Sequence, residues 1–428
     1  MRGSFPQIRE EARALKRLLT PETVTVLLVS CFAFFSGQLL APMLPLYLRD
    51  AGADASTIGW MFAVMTLAIA ISEVFWGWVV DRVNLKAALI VGTLLLGVAI
   101  SGLRLAHTIP LLFGAMFFYG FLRSPMWVAG RWYMGVHAPP DMRAMAMAVL
   151  MVAASLTQSV SGFVSGYVTE TWGFEGTITL ASGVSIGAGL ILLLGYRRLR
   201  FQRQRASPDA AASTTLRAGW VGRKAWRYTL FLGSYGLIFF ISFGIFDAYM
   251  PLFAASAVLA DPAKIGALFG LRGLVQTVLL LPMGRLADKR GKSFFLPAGL
   301  GLVALSTLGI ALSTGYTMLA VCAILFSLSM TLYMPTVTAM LSERIPMHGL
   351  GTAMGVFGLM EDVGWMVGPA VGGVLWEAWG MQSPFFFGAA VAAIAAPTYF
   401  LLRPRFDPAA APGLEREIPL ASQDGAAG

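Results

Sequence analysis

Charged residues are scarce in this sequence. Lysine, arginine, aspartate and glutamate together make up 12% of the 428 residues, whereas a soluble domain carries about 25% to cover its surface. With 57% hydrophobic residues and a mean hydropathy of +0.72, a water-soluble core is excluded, and lipid is the solvent for most of the chain. Cysteine and histidine are nearly absent. Cys31 and Cys322 both fall inside apolar runs, which argues against a disulfide framework. His107, His137 and His348 are too few and too scattered for a metal cluster, so no metal and no cofactor is expected. No GxxxxGK[ST] phosphate loop occurs, so ATP-driven work by this chain alone is unsupported. The first 20 residues are basic (Arg2, Arg9, Arg13, Lys16, Arg17), but no small-residue cleavage site follows. A retained first span is expected rather than a cleaved leader.

What the chain does have is long apolar runs. A helix needs about 20 mostly apolar residues to cross the hydrocarbon core. Runs that qualify lie near 23–48, 57–80, 87–106, 110–136, 144–168, 175–196, 228–255, 264–284, 294–313, 315–341, 350–376 and 382–402. The expected fold class is an all-α membrane protein of 12 transmembrane helices. Lys and Arg concentrate in cytoplasmic loops. With the N-terminus inside, 25 of the 31 basic residues fall in inside segments and three (Arg49, Arg104, Lys264) in outside loops. Both termini are therefore expected in the cytoplasm of a bacterial-type inner (plasma) membrane. The net charge of +9 is explained by the same asymmetry. The basic connection 197–227 reads as a topology determinant and lipid-headgroup contact, with no nucleic-acid partner. Residues 207–216 read as flexible linker and the tail after Pro404 as disordered.

The chain repeats itself at an offset of about 207 residues. Ile58-Gly59 recurs as Ile265-Gly266, Gly77-x-x-x-Asp81 as Gly284-x-x-x-Asp288, and Ala146-Met147 as Ala353-Met354. Ser161-Gly162-Phe-Val-Ser165-Gly166 recurs as Gly368-Pro369-Ala-Val-Gly372-Gly373. At an offset of 206, Pro45-Leu46-Tyr47 matches Pro251-Leu252-Phe253. Such a series, in order and on equivalent helices, marks a duplicated six-helix unit. The expected layout is an N-terminal tail 1–22, a first bundle 23–196, the central loop 197–227, a second bundle 228–403 and a C-terminal tail 404–428. An even number of spans per unit makes the halves parallel, related by an axis along the membrane normal. That arrangement suits rocking about a midplane site.

The segment Gly77-Trp-Val-Val-Asp81-Arg82-Val-Asn84-Leu-Lys86 resembles motif A of the major facilitator superfamily, and Gly284-Arg285-Leu286-Ala287-Asp288-Lys289-Arg290-Gly291-Lys292 resembles it more closely. Asn84 replaces the usual glycine of the first copy, a position that tolerates asparagine because it visits left-handed turns. The resemblance covers residues 23–403 and is nearest to the 12-span drug:proton antiporter-like group. It implies two pseudo-symmetric six-helix bundles. It also implies a conformational latch built from Gly77, Asp81, Arg82, Lys86, Gly284, Asp288, Arg290, Gly291 and Lys292. Asp81 would accept hydrogen bonds from the start of the eleventh span near Gly351, where the helix dipole is positive. The bland reading of the same charges is that they set topology. The run Gly364-x-x-x-Gly368-Pro369-x-x-Gly372-Gly373 reads as close helix packing. A glycine–proline motif that the exporters carry in the fifth span is represented here by Ser161-Gly162-x-x-Ser165-Gly166, without the proline.

Charges at bilayer depth are costly and mark cavities, proton paths or internal pairs. Arg123 lies in the fourth span about where the superfamily's motif B places an arginine, although Met126 and Trp127 occupy its usual Gln-Gly positions. Arg272 is 12 residues before Gly284, hence ~18 Å from that helix end at 1.5 Å per residue. Glu361 and Asp362 sit near mid-depth in the eleventh span, Asp247 toward the outer end of the seventh, and Gln38, Gln158 and Gln276 at similar depths. These eight are the candidates for substrate contact or proton coupling, with internal ion pairing as the alternative. For Glu73, Arg104 and Arg131, near span ends, snorkelling or structural pairing is the better reading. A carboxylate held away from bulk water can load and release protons near neutral pH. Adjacent Glu361 and Asp362 point about 100° apart on a helix, so one of the two is expected to face the cavity.

The leading functional reading is secondary active transport by alternating access, driven by a proton gradient and exporting a small lipophilic compound. The chain is read as a monomer, with a small-molecule substrate and the bilayer as partners. A second reading is transport of an anionic metabolite clamped between Arg123 and Arg272. From another class come a membrane-embedded enzyme and a non-transporting sensor. Against them, no Ser/His/Asp set lies at membrane depth and both tails are short.

Overall fold

The computed structural model describes residues 20–82, 85–137, 143–194, 223–290, 292–345 and 347–406, and all regular structure among them is helical. The first span is Pro21–Leu40, continued after a turn by Leu44–Asp50; the second is Ala55–Arg82 and the third Leu85–Leu103. The fourth is made of Ile109–Arg123 and Pro125–His137. The fifth and sixth share Arg143–Leu194, which breaks at Gly173 (φ 70°, ψ −176°). The second half comprises Arg223–Ala257, Pro262–Arg290, Lys292–Ala311, Tyr316–Arg344, Met347–Trp379 and Ser383–Phe406, the seventh to twelfth spans.

Among the described residues, nine helices are long and apolar enough to cross a membrane. The one at 145–194 covers two crossings because of its break at Gly173. The third span falls below the length criterion with an apolar stretch at Ala87–Leu103. The eleventh has the length, with 33 residues, but carries Glu361 and Asp362 at its centre. Twelve crossings follow. Val74, Ile191 and Leu194 are 78%, 70% and 85% exposed, and large apolar side chains presented outward in this way are covered by lipid.

Two sequence expectations change in detail. The fourth span is interrupted at Ser124, because Pro125 lacks the N–H that would continue the ladder and is tolerated at a new helix start. The fifth and sixth spans meet without an intervening coil, since Gly173 alone supplies the left-handed backbone needed to reverse direction. The central connection 195–222 and the tails 1–19 and 407–428 lie outside the described residues.

Two interfaces join the halves: the second span packs against the eleventh, and the fifth against the eighth. Inside the second half the core is aromatic. Phe239 stacks on the buried Tyr333 ring at 4.1 Å, and Phe246 stacks on Phe326 at 4.3 Å.

Candidate functional site

The two inter-half interfaces are sealed at the end that carries the 51–54, 258–261 and 380–382 connections, here the loop end. Glycine makes this possible, because backbones touch where any side chain would intervene. A methyl group on Gly373 would lie 2.6 Å from the Ala55 carbonyl, and one on Gly59 would strike the Pro369 carbonyl and the Tyr249 hydroxyl. At the second interface a methyl on Gly166 would lie 2.6 Å from the Pro262 carbonyl, and one on Gly266 would lie 2.5 Å from the Gly166 Cα. The residues in contact are the repeat itself: Gly59 and Gly266 are one repeat pair, and Gly166 and Gly373 another. Gly364 and Gly368 instead pack within the second half, against the Leu237 and Ile241 carbonyls. Gly372 faces Tyr249, with the Cε2 carbon 2.7 Å from an added methyl.

Hydrogen bonds reinforce the closure. The Tyr249 hydroxyl donates to the Pro369 carbonyl at 2.7 Å and lies 3.1 Å from the Ala55 carbonyl. Arg49 Nη1 donates to Ser256 Oγ at 2.7 Å. Glu377, at the end of the eleventh span, accepts the Ala55 N–H at the start of the second at 3.0 Å. Glu170, at the end of the fifth span, accepts the Ala263 N–H at the start of the eighth at 3.2 Å. Glu170 and Glu377 are 207 residues apart, as are Asp54 and Asp261, whose carboxylates cap their own helices through the Thr57 and Lys264 N–H groups. Those caps hold both aspartates below the usual carboxylate range: at Asp54 the Thr57 backbone bond dominates, at Asp261 the Lys264 side chain. Pro262 stands where the first half has Ala55 and has no N–H to give, so Glu170 takes the next one. Each carboxylate of one half thus meets a helix N-terminus of the other, where the dipole favours negative charge.

At the opposite end, which carries the termini, the small residues meet little. Methyl groups on Gly77, Gly351, Gly355 or Gly358 would touch nothing within 4 Å, and one on Gly284 would touch Pro335 at 3.8 Å. The side chains of Asp81, Arg82, Lys86, Asp288 and Arg290, and all of Gly291, lie outside the described residues. Lys292 is paired with Glu343 of the tenth span.

The charged candidates separate into distinct settings. Arg272 is 4% exposed. Its Nη1 bonds Asp247 Oδ1 at 2.7 Å, and its guanidinium lies 4.5 Å from the Phe243 ring centre and 5.1 Å from that of Phe246. A buried cation with a carboxylate and aromatic faces around it is already neutralised, so Arg272 is not presented to the space between the halves in this conformation. Glu361 turns into the second half, accepting the Tyr333 hydroxyl at 2.9 Å. Asp362 turns toward the first half, within electrostatic reach of Glu73 in the second span, which in turn interacts with Arg131. Gln38 is 9% exposed, while Gln158 and Gln276 are half-buried near the fifth–eighth interface.

Arg123 stands apart. It lines a recess of about 370 Å³, including its open mouth, between the first, fourth and fifth spans, together with Ser30, Cys31, Phe34, Trp127, Leu150, Ala153 and Ala154. Its side chain packs beside Gly37, where a methyl would lie in ordinary contact 3.5 Å from the Arg123 Nε. Sequence reasoning did not single out Ser30 and Phe34, because nothing in a helix's own sequence names the residues facing it. Glu170 and Glu377 were within reach of the repeat offset, one helical turn beyond the matched small residues.

The Major Facilitator Superfamily family model matches residues 26–259 and 232–424. An uncharacterized MFS-type transporter of Methanocaldococcus jannaschii is 31% identical over 131 residues, 30% of this chain and 33% of the relative. Multidrug resistance protein 2 of Bacillus subtilis is 30% identical over 165 residues, 38% of this chain and 41% of the relative. These alignments thus span less than half of each relative's length. Among solved structures, a POT family transporter in complex with 5-aminolevulinic acid superposes with a TM-score of 0.76 at 15% identity, covering 90% of this chain and 96% of that one. At that identity the likeness concerns the fold.

Proposed function

The chain belongs to the major facilitator superfamily, and on that premise we propose that it is a proton-driven secondary transporter that exports a small lipophilic compound by alternating access. The observation that carries this reading is the asymmetry of the duplicated interface. Repeat-related glycines are pressed backbone to backbone at the loop end, while at the terminal end Gly77 has open space beside it and its repeat partner Gly284 meets only Pro335, at ordinary contact distance. A two-fold device sealed at one end and parted at the other is one state of a rocker.

With the orientation expected from the basic residues, the open end faces the cytoplasm and the state is inward-facing. The motif A latch would be released in this state and would engage when the terminal ends close. Asp362 of the eleventh span lies within electrostatic reach of Glu73 of the second, so closing the terminal end would bring the two carboxylates closer. Like charges in a dry gap cannot both stay ionised. Proton uptake is thereby tied to the conformational change, with Glu361, whose carboxylate accepts the Tyr333 hydroxyl, as a further carboxylate beside it in the eleventh span. The reading of the product as lipophilic draws on the kinship with a relative named for multidrug resistance and on the apolar recess walls.

The test is flux in proteoliposomes of the purified chain under an imposed pH gradient, screened against lipophilic dyes and small organic anions. Asp362→Asn, and the double variant with Glu361→Gln, are expected to abolish gradient-driven flux. Flux that still follows the gradient in the double variant would remove proton coupling from the account.

A further inference from the structure

We propose that the recess between the first, fourth and fifth spans is the substrate site, and that it takes an amphipathic organic anion. The acidic group would sit against Arg123 and Ser30, with the apolar body on Phe34 and Trp127. This rests on the transport reading and narrows its substrate class.

A guanidinium at bilayer depth requires an anionic or dipolar partner. The other arginines of the described bundle already have one. Arg272 holds Asp247 and Arg104 holds Glu175, both at 2.7 Å. Arg49 donates to Ser256, and Arg131 interacts with Glu73. Among the described residues, no carboxylate and no hydrogen-bond acceptor engages Arg123, although it lines an open recess. Neutral or cationic cargo would leave that charge uncompensated on loading. An anion compensates it and gains charge-assisted hydrogen bonds of the forked geometry that suits carboxylates.

The rest of the recess fits the same class of molecule. Ser30 Oγ lines it, is buried, and has no hydrogen-bond partner. A bound acidic oxygen would satisfy it. Phe34 and Trp127 stack with centroids 6.2 Å apart and an interplanar angle of 29°, forming an apolar wall. The approach is also basic. Arg123 ends the first segment of the fourth span, and Trp127 and Arg131, one turn apart on the second segment, bring the Arg131 guanidinium to 5.9 Å from the Trp127 ring centre. An anion arriving from the open end would pass Arg131 and the indole before reaching Arg123.

Isothermal titration calorimetry on the full chain in detergent tests this with three probes of one shape: naphthalene-2-carboxylate, its uncharged amide, and 2-naphthyltrimethylammonium. The carboxylate is expected to bind about tenfold or more tighter than either of the others. Arg123→Gln should erase that preference, and Arg123→Lys should restore part of it. Trp127→Ala should weaken all three alike, which separates the apolar wall from the charge. Equal or tighter binding of the amide or the ammonium probe overturns the proposal. So does an Arg123→Gln protein that keeps the carboxylate preference, or a wild-type chain that binds none of the three. Failure of the transport reading looks different: the carboxylate binds through Arg123, yet no probe crosses a proteoliposome membrane under a pH gradient.

Discussion

Replacing both loop-end carboxylates, Glu170→Ala together with Glu377→Ala, is expected to shift the balance between the two end states toward opening of the sealed end. Each carboxylate accepts one N–H at the first turn of a helix in the opposite half and interacts with that helix dipole. Both side chains are exposed, so each contact is worth about 1 kcal/mol rather than the larger values of buried sites. The contacts lie on separate interfaces and break together when the halves rock, so their effects add to about 2 kcal/mol, or roughly 30-fold in the ratio of states. A minor state of ~1% would rise to about a quarter of the population. Spin labels on cysteines replacing Asp50 and Gln382, in a background lacking Cys31 and Cys322, report the opening as a new long-distance peak in pulsed electron resonance. Each single variant should give about a fivefold shift. An unchanged distance distribution in the double variant would refute the latch, as would one residue carrying the whole effect.

Three other perturbations follow from the geometry. Gly166→Val or Gly373→Val should block loop-end closure and abolish transport while leaving expression and thermal stability near wild type, because the side chain is forbidden in the sealed state alone; flux at wild-type levels would contradict it. Arg272→Gln leaves the part-buried Asp247 carboxylate without its partner, and should lower stability by about 2 kcal/mol, less than for a fully buried pair; Arg272→Gln with Asp247→Asn should recover most of that in a thermal melt. The Asp54 and Asp261 caps have lowered native pKa values. Their contribution is present above the unfolded carboxylate pKa and is lost as pH falls through the folded one. Protection of the Thr57 and Lys264 amides, relative to their intrinsic exchange rates, should therefore fall as pH drops through the lowered carboxylate range in wild type and lose this acid dependence in Asp54→Asn and Asp261→Asn.

Much of this architecture was legible in the sequence, for reasons that differ by level. Lipid cannot satisfy free backbone groups, so apolar run length alone locates nearly every span. The third span is short and the eleventh carries Glu361 and Asp362 at its centre, yet both were still readable as apolar runs at 87–106 and 350–376. Depth was also legible, since the helical rise places Arg272 well inside its span. Direction was not. Asp247 and Arg272 were both read as cavity candidates, whereas they pair with each other across neighbouring helices. The 100° offset of Glu361 and Asp362 indicated that they face different ways, but which one faces the first half depended on where Tyr333 lies. The small-residue runs announced close packing without naming the partner, which for Gly166 and Gly373 is the other half and for Gly364 and Gly368 is the seventh span.

The central claim is that the halves must rock for solute to cross. Arg49 and Ser256 face each other across the sealed end, so cysteines at these two positions, joined by a reducible bifunctional reagent, hold that end shut. The decisive measurement is pH-gradient-driven flux in proteoliposomes before cross-linking, after it, and after reduction. The account predicts flux, then arrest, then recovery. Undiminished flux through the cross-linked protein would contradict it.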